Sequence, residues 1–244
     1  MNNHVNKLVA TIVFATVAAC GLAAVAAETA APVAPPATLK PKSAKRAANP
    51  GRFTAEIAAF EAWDRRTSPP KNAVLFVGSS SIRLWQTAEA FPELAVINRG
   101  FGGSEVSDVN HYAERIVVKY APRTIVFYAG DNDIAAGRKP ERIAAGFAKF
   151  ADEMHEQLPE ARIIYLPIKP SIARWKLWPK AQEANALAKQ FVEEHDYVTY
   201  VDIATPMLGS DGQPRPEIFL DDGLHMNEVG YQIWNETLAR QLAQ

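Results

Sequence analysis

The sequence has little cysteine, no excess of charge of either sign, and no long apolar run after residue 27. Its one cysteine, Cys20, excludes an intramolecular disulfide framework and a zinc site built on cysteines. The 26 basic and 27 acidic residues leave a net charge of −1, so the chain carries no basic footprint for nucleic acid. A hydrophobic content of 48% also excludes a wholly disordered or collagen-like chain. The composition is that of a globular protein.

The amino-terminal part of the chain has the pattern of an export signal. Residues 8–27 carry no charge, and small residues precede Glu28 as they do at a signal-peptide cleavage site. We therefore expect residues 1–27 to be an export signal that leaves the rest of the chain periplasmic or secreted. Two alternatives stay open. Val17–Gly21 resembles a lipoprotein signal with Cys20 as the lipidated residue, and the segment also has the length of an uncleaved membrane anchor.

Residues 28–50 have the composition of a linker. Proline and alanine dominate, basic residues cluster near the end, and no apolar periodicity is visible. This composition predicts an extended, disordered tether, whose basic cluster is either solvated or in contact with an anionic envelope surface. A membrane tether through the amino terminus is the one membrane contact that the sequence suggests. Residues 51–244 are long enough for one buried core and too short for two ordinary domains.

Residues 51–244 alternate between short apolar runs and helical patterns. Continuous β-branched runs of this length suit strands that are buried on both faces. The longer stretches between them, two of which open with proline, predict helices. This alternation indicates an α/β domain with a mainly parallel sheet that helices cover on both sides. The predicted strands are 73–78, 94–98, 124–130, 162–168 and 197–203, and the predicted helices are 104–120, 140–157, 179–195 and 227–242.

Residues that follow three of these strands are candidates for chemistry, because ligands bind at the carboxyl ends of parallel strands. Three serines follow the first strand within Gly78–Ile82, a glycine-rich loop follows the second at Gly100–Ser104, and Asn132 follows the third. A serine near a helix amino end can be a nucleophile, and loop N–H groups and an Asn amide can stabilise an oxyanion. Each motif alone is also typical of a turn or a helix cap.

His225 is the histidine whose setting suits acid–base chemistry. It follows Asp222 by three residues in a loop, a spacing that lets the carboxylate accept a hydrogen bond from one ring nitrogen and hold the tautomer. His111, His155 and His195 lie in or beside predicted helices, and we expect them to be solvated. The pair and the strand-end residues together meet the requirements for acyl transfer to a serine.

The four sequence blocks resemble those of the SGNH hydrolases, a branch of the GDSL esterase and lipase superfamily. The first block, FVGSSSIRLW, is also similar to that of the platelet-activating-factor acetylhydrolase catalytic subunits. The resemblance covers residues 72–242 and keeps the family's block order. It implies a three-layer α/β/α, flavodoxin-like fold with a five-stranded, mainly parallel sheet in the order 2-1-3-4-5. It also implies that the reaction needs neither a metal nor an organic cofactor.

The resemblance assigns the site residues. Its catalytic residues fall on Ser80, Asp222 and His225. Its oxyanion hole falls on the backbone N–H groups of Ser80 and Gly103 and on the side chain of Asn132.

Ser79 is a departure from the family pattern, which has aspartate at this position. The position is not part of the catalytic triad, so we expect the chemistry to be retained while the hydrogen bonding of the loop differs. Because three serines are adjacent, Ser79 and Ser81 stay open as alternatives to Ser80 for the nucleophile.

The function that the resemblance implies is that of a serine esterase that forms an acyl-enzyme. Without a long apolar lid segment, we expect short-chain esters, above all acetyl esters of a small molecule or a glycan. Lysophospholipids and longer-chain lipid esters are the alternative substrates. Trp175 and Trp178, after the fourth predicted strand, are candidates to stack on a sugar ring or cover an acyl chain, and packing beneath a loop is the other interpretation.

Two rival functions have different requirements. A non-catalytic glycan- or ligand-binding module on the same fold would not need the complete set of candidate catalytic residues. A nucleotide-binding domain would need a P-loop or a regularly spaced dinucleotide motif, and the sequence has neither. We expect a monomer that has no nucleic-acid partner.

Overall fold

Five segments of the chain pair into one sheet. They are β1 (Val74–Gly78), β2 (Val96–Gly100), β3 (Thr124–Tyr128), β4 (Arg162–Tyr165) and β5 (Val198–Tyr200). Neighbouring strands are parallel, and their order is β2-β1-β3-β4-β5. This confirms the parallel sheet and the strand order that the resemblance implied. Strands β1 and β3 are buried along their whole length, as their unbroken apolar runs predicted.

The structure is a computed structural model that describes residues 50–242. The predicted export segment, 1–27, and the predicted linker, 28–50, lie outside the described residues apart from Pro50, which begins a short 3₁₀ turn. No helix formed by residues 50–242 is long and apolar enough to cross a membrane.

The helices of the described residues form the two outer layers. They are α1 (Thr54–Asp64), α2 (Ser80–Arg83), α3 (Thr87–Ala90), α4 (Val106–Ile116), α5 (Asp131–Ala135), α6 (Pro140–Gln157), α7 (Trp178–Glu193) and α8 (Glu228–Leu242). Helices α1, α4, α6 and α7 pack on one face of the sheet, and α2, α3 and α8 lie on the other. Alternate residues of β1 enter the two cores: Leu75 faces the first and Phe76 the second.

The long helices lie where their sequence patterns predicted them. Helix α6 has the predicted bounds, and α7 and α8 begin or end within two residues of theirs. The pattern predicted for 104–120 divides into α4 and a 3₁₀ turn at Val118–Tyr120. Helix α1 was not predicted, because Ile57 is its one fully buried residue and its apolar pattern is therefore weak.

The second strand lies two residues further along the chain than predicted. Its last residues, Arg99 and Gly100, pair with Val77 and Gly78 of β1. A charged residue is accommodated there because the Arg99 guanidinium donates to the Asp64 carboxylate at 2.5 Å. The register also places Gly78 level with Gly100 and Tyr128, so the first three strands end side by side. The loops that follow them therefore meet at one edge of the sheet.

Candidate active site

Ser80 is held at the carboxyl end of β1 by a tight strand-to-helix turn. Gly78 has a φ of 145°, and a Cβ on it would lie 1.8 Å from the carbonyl oxygen of Tyr128. Glycine is therefore required where the Ser79 N–H donates to that carbonyl at 3.0 Å. Helix α2 begins immediately afterwards, at Ser80. Ser80 is partly exposed, whereas Ser79 and Ser81 are 2% and 3% exposed, so the middle serine is the accessible one.

Ser80, His225 and Asp222 form a continuous chain of hydrogen bonds. His225 Nε2 lies 3.0 Å from Ser80 Oγ, and His225 Nδ1 lies 2.6 Å from Asp222 Oδ2. With Nδ1 donating to the carboxylate, Nε2 is left to accept the proton of the serine hydroxyl. The structure thus brings Ser80 together with the Asp222–His225 pair, which is far from it in sequence, in the order that proton transfer requires.

Asp222 is held as a carboxylate by its own loop. Its Oδ1 accepts hydrogen bonds from the backbone N–H groups of Leu224 and His225, both at 2.9 Å. Partial desolvation by itself raises the pKa of Asp222, but the imidazole and the two backbone donors outweigh it and lower the pKa to about 2. The side chain of Asp222 is 48% exposed and that of His225 is 26% exposed, so the pair opens to solvent.

Three N–H groups of the strand-end loops are suited to receive an oxyanion. Ser80 is the first residue of α2, so its N–H has no acceptor within its own helix. Gly103 has a φ of 79°, and its carbonyl accepts a hydrogen bond from the Arg52 guanidinium. The Gly103 N–H has no hydrogen-bond acceptor among the described residues. One N–H of the Asn132 amide donates a hydrogen bond to the Ser104 carbonyl at 3.0 Å, and the second N–H is left to bind an oxyanion.

The residue after Asn132 carries a buried carboxyl group. Asp133 is 5% exposed and accepts a hydrogen bond from the N–H of Val106, the first residue of α4, at 3.0 Å. Burial, with a smaller contribution from the charge of Glu105, raises the pKa of Asp133 to about 7. This carboxyl joins the loop of Asn132 to the helix that follows Gly103.

Arg174 is a site residue that the sequence analysis did not identify. Its guanidinium donates to Asn132 Oδ1 at 3.2 Å and forms an ion pair with Asp131 at 2.7 Å. In the segment after β4, the sequence draws attention to Trp175 and Trp178. The sequence shows only that an arginine precedes Trp175, and this position does not reveal which residues the arginine contacts in the fold.

Trp175 and Trp178 stack on each other at the start of α7. Their ring centroids are 6.0 Å apart with an interplanar angle of 17°. Trp178 packs against the cores on both faces of the sheet, as the packing interpretation requires. Trp175 is partly exposed above it. Their role in substrate binding stays a prediction.

The remaining histidines differ in part from expectation. His111 is exposed, as predicted. His155 and His195 are half-buried, and His155 stacks on Tyr197 with centroids 4.0 Å apart. The expectation that both are solvated holds only in part, because the rings of Phe191 in α7 and of Tyr197, just before β5, contact them. Within residues 50–242 no group of three or more histidine, cysteine or acidic residues is arranged to hold a metal ion.

The fold and the site together define a class. A serine in contact with a histidine, which in turn contacts a carboxylate, at the carboxyl edge of a parallel α/β sheet is the arrangement of a serine hydrolase. The comparisons with known proteins narrow this class.

The model of the GDSL-like lipase/acylhydrolase family matches residues 81–233. The chain therefore belongs to this family and is a carboxylic ester hydrolase. The match spans the sequence blocks from Gly103 to His225 and begins one residue after Ser80, so the assignment of the nucleophile depends on the geometry. No curated protein matches the chain by sequence.

Solved structures share the fold at low sequence identity. A Streptococcus pneumonia protein described as a platelet activating factor has a TM-score of 0.70 and 20% identity, over 78% of this chain and 93% of its own. A GDSL-like lipase from Bacteroides thetaiotaomicron has a TM-score of 0.66 and 20% identity, over 80% and 97%. An acetylxylan esterase from Geobacillus stearothermophilus has a TM-score of 0.60 and 16% identity, over 73% and 97%. These likenesses confirm the fold.

Proposed function

We propose that the protein is a serine esterase that hydrolyses short-chain acyl esters, above all acetyl esters, with Ser80 as nucleophile, His225 as general base and Asp222 as its partner. The observation that carries the proposal is the unbroken hydrogen-bond chain, 3.0 Å from Ser80 Oγ to His225 Nε2 and 2.6 Å from His225 Nδ1 to Asp222 Oδ2. A module that only bound a ligand would not need this series of hydrogen bonds.

The reaction proceeds in two halves. Ser80 Oγ attacks the ester carbonyl while His225 Nε2 takes the hydroxyl proton, and Asp222 stabilises the imidazolium that forms. His225 then protonates the leaving alcohol, which leaves an acyl group on Ser80. Water attacks the acyl-enzyme by the same steps in reverse and releases the acid.

The oxyanion of each tetrahedral intermediate is received by the N–H groups of Ser80, Gly103 and Asn132. The two backbone donors are held by the tight turn at Gly78 and by the left-handed conformation of Gly103. Removal of one such donor typically lowers kcat by about 10²- to 10³-fold.

Replacement of the nucleophile tests this proposal. We expect Ser80→Ala to lower kcat for para-nitrophenyl acetate by at least about 10³-fold, because the covalent route is lost. The matched control is Ser81→Ala, which removes a neighbouring buried hydroxyl and should leave kcat within a few-fold.

Labelling with an organophosphonate followed by peptide mapping identifies the nucleophile directly. A label on Ser79 or Ser81 would transfer the role to that residue. Full activity of Ser80→Ala would overturn the assignment of Ser80 as the nucleophile. A wild-type protein that binds ligands but hydrolyses no ester would return the function to a binding module.

The openness of the site supports a short acyl group. The catalytic carboxylate and imidazole are both partly exposed, so no lid formed by the described residues covers them as we would expect for a long-chain lipase. The similarity in fold to an acetylxylan esterase agrees with acetyl transfer from a glycan.

One observation favours the longer-chain alternative. A groove of about 580 Å³ adjoins both catalytic elements and carries the exposed side chains of Leu84, Leu220 and Val229. The Leu84 N–H donates to the carbonyl of Ser80, and the Leu220 N–H donates to the carbonyl of His225. The groove therefore offers an apolar surface next to the segments that carry Ser80 and His225.

A series of para-nitrophenyl esters from acetyl to octanoyl separates the two substrates. We expect kcat/KM to be highest for acetyl and to fall with chain length, and an acetylated xylooligosaccharide to be preferred over a lysophospholipid. If kcat/KM instead rises with chain length, and Val229→Asp abolishes that rise, the longer-chain substrate is correct. Val229→Ala serves as the uncharged control.

A further inference from the structure

Arg174 connects the amide of Asn132 to a buried acidic residue. After β4 the chain crosses the carboxyl edge of the sheet, and Arg174 donates to Asn132 Oδ1 at 3.2 Å. The other arm of its guanidinium lies 2.7 Å from Asp131 Oδ1. The side chains of Arg174 and Asp131 are 20% and 11% exposed, so the ion pair is sheltered from solvent and weakly screened.

The contacts of Asn132 determine which way its amide points. Its oxygen accepts from Arg174, and its nitrogen donates to the carbonyl of Ser104 at 3.0 Å. A flipped amide would set its NH₂ against the guanidinium donors and its oxygen against the Ser104 carbonyl. Both contacts would then be repulsive. The cation beside the oxygen also polarises the amide, which makes its N–H groups stronger donors.

Asp131 also contacts a second cation, which is tied to the catalytic loop. Lys169 is 2% exposed, and its Nζ lies 3.8 Å from Asp131 Oδ2. The same Nζ donates to the carbonyl of Leu224, the residue before His225, at 2.7 Å. Burial lowers the pKa of Lys169, while the charge of Asp131 favours its protonated form. An almost fully buried lysine is costly unless such partners hold it.

A backbone contact reinforces this connection. The N–H of Ala173, the residue before Arg174, donates to the carbonyl of Gly223 at 2.9 Å. Gly223 lies within the loop that carries the acid–base pair. The segment from Lys169 to Arg174 thus contacts the oxyanion side of the site at one end and the acid–base side along its length.

We infer that Arg174 is a positioning residue for the oxyanion-binding amide of Asn132, and that Asp131 and Lys169 hold it in register with the loop of His225. The inference rests on the proposed esterase function. Arg174 acts through Asn132, because its guanidinium contacts the oxygen of the amide and leaves the nitrogen as the donor. Its effect must therefore depend on the presence of that amide.

A double-mutant cycle tests this dependence. We expect Arg174→Met to lower kcat for para-nitrophenyl acetate by about 10- to 100-fold with KM changed by less than about three-fold, since a ground-state carbonyl needs the donor less than an oxyanion does. In the Asn132→Ala background, the same substitution should change kcat by less than about three-fold. Arg174→Lys, which reaches Asp131 or Asn132 but not both, should recover part of the activity.

The matched control is Arg115→Met. Arg115 of α4 pairs with Glu61 of α1 at 2.7 Å, so it undergoes the same chemical change without contacting a candidate site residue. Its kcat should stay within about two-fold of wild type, because exposed ion pairs contribute little. Circular dichroism and melting temperature verify that each variant is folded. Added guanidinium ion should raise kcat of Arg174→Ala and leave that of Asn132→Ala unchanged.

The outcomes distinguish a failure of the positioning role of Arg174 from a failure of the esterase function. If Arg174→Met lowers kcat equally in both backgrounds, or not at all, the positioning role is wrong and the esterase function stands. If Arg174→Met does not fold, Arg174→Lys carries the same cycle. A wild-type protein without esterase activity, or an active Asn132→Ala variant with unchanged kcat, overturns the function or the oxyanion assignment on which the inference rests.

Discussion

Ser80 and Asp222 derive their properties from backbone groups in contact with them. The turn at Gly78 leaves Ser80 more exposed than the two buried serines beside it. This turn is possible only because residue 78 has no Cβ. Asp222 has a lowered pKa because two backbone N–H groups and an imidazole donate to it. Since these donors lie within three residues of Asp222 in the same loop, its charge state is a local property of that loop.

The lowered pKa of Asp222 leads to a prediction for the pH dependence of activity. Its carboxylate stays ionised until about pH 2, so it should still accept the hydrogen bond from His225 at pH values where an ordinary aspartate is protonated. We therefore expect log kcat/KM to show no downward bend caused by Asp222 near pH 4, where an ordinary aspartate would begin to protonate.

The control for this profile is Asp133→Asn. Asp133 has a pKa of about 7, so it titrates within the pH range of such a profile. The variant should likewise show no bend near pH 4, because the carboxyl contacts α4 and not the imidazole. A downward bend near pH 4 in both proteins would show that Asp222 titrates there.

At the scale of elements, α1 is attached to the sheet by a charge cluster. Asp64, its last residue, accepts hydrogen bonds from Arg99 of β2 at 2.5 Å and from Tyr120 and Lys119 at 2.6 Å each. The Arg99 side chain is 8% exposed, so a charge in the strand is tolerated because this carboxylate is present. Burial alone raises the pKa of Asp64, but the donors from Lys119 and Tyr120 outweigh it and lower the pKa.

Removal of this carboxylate should strongly destabilise the fold. We expect Asp64→Ala to lower the free energy of unfolding by about 3 to 5 kcal/mol, because it leaves Arg99 buried without its anion. Glu61→Ala, on the same helix, removes an exposed partner of Arg115 and should cost less than about 1 kcal/mol. Urea unfolding followed by tryptophan fluorescence measures both. Equal effects of the two substitutions would contradict the role given to the buried pair.

At the scale of the whole molecule, residues 50–242 form a sheet covered on both faces, with the candidate active site at one edge. The first three strands end level with one another, which gathers the loops of Ser80, Gly103 and Asn132. The fourth strand end supplies Arg174, and the loop before α8 supplies His225. Each strand of the sheet's centre thus contributes to one site. The residues before Pro50 bear on where the enzyme works.

We propose that the protein is exported by a cleaved signal peptide. Expression of the full chain in a bacterial host should give a soluble periplasmic or secreted enzyme whose amino terminus is Glu28, measured by cell fractionation and mass spectrometry. Cys20→Ser should leave this unchanged, because the cysteine is removed with the signal. If the wild type is membrane-bound and Cys20→Ser releases it or stops processing, the segment is a lipoprotein signal. Membrane retention of both, with residues 1–27 present, indicates an uncleaved anchor.

The predictions that succeeded from sequence were those that depend on local pattern. Unbroken apolar runs predicted the parallel sheet, and the long helices followed from their amphipathic spacing and their opening prolines. The contact between Asp222 and His225 was predictable because they are three residues apart in one loop, while their catalytic role stays a prediction. The short helices α2 and α5 and the weakly apolar α1 left no such pattern.

The sequence by itself determined the class of fold and the residue types available for catalysis, because buried strands and strand-end motifs are recognised from contiguous residues. The tertiary structure alone decided which residues meet. Ser80 and His225 are 145 positions apart, and their 3.0 Å contact exists only because the strand ends share one edge. The contact of Arg174 with Asn132 spans 42 positions and has no sequence signal, since an arginine acquires its partner only when separate loops pack together.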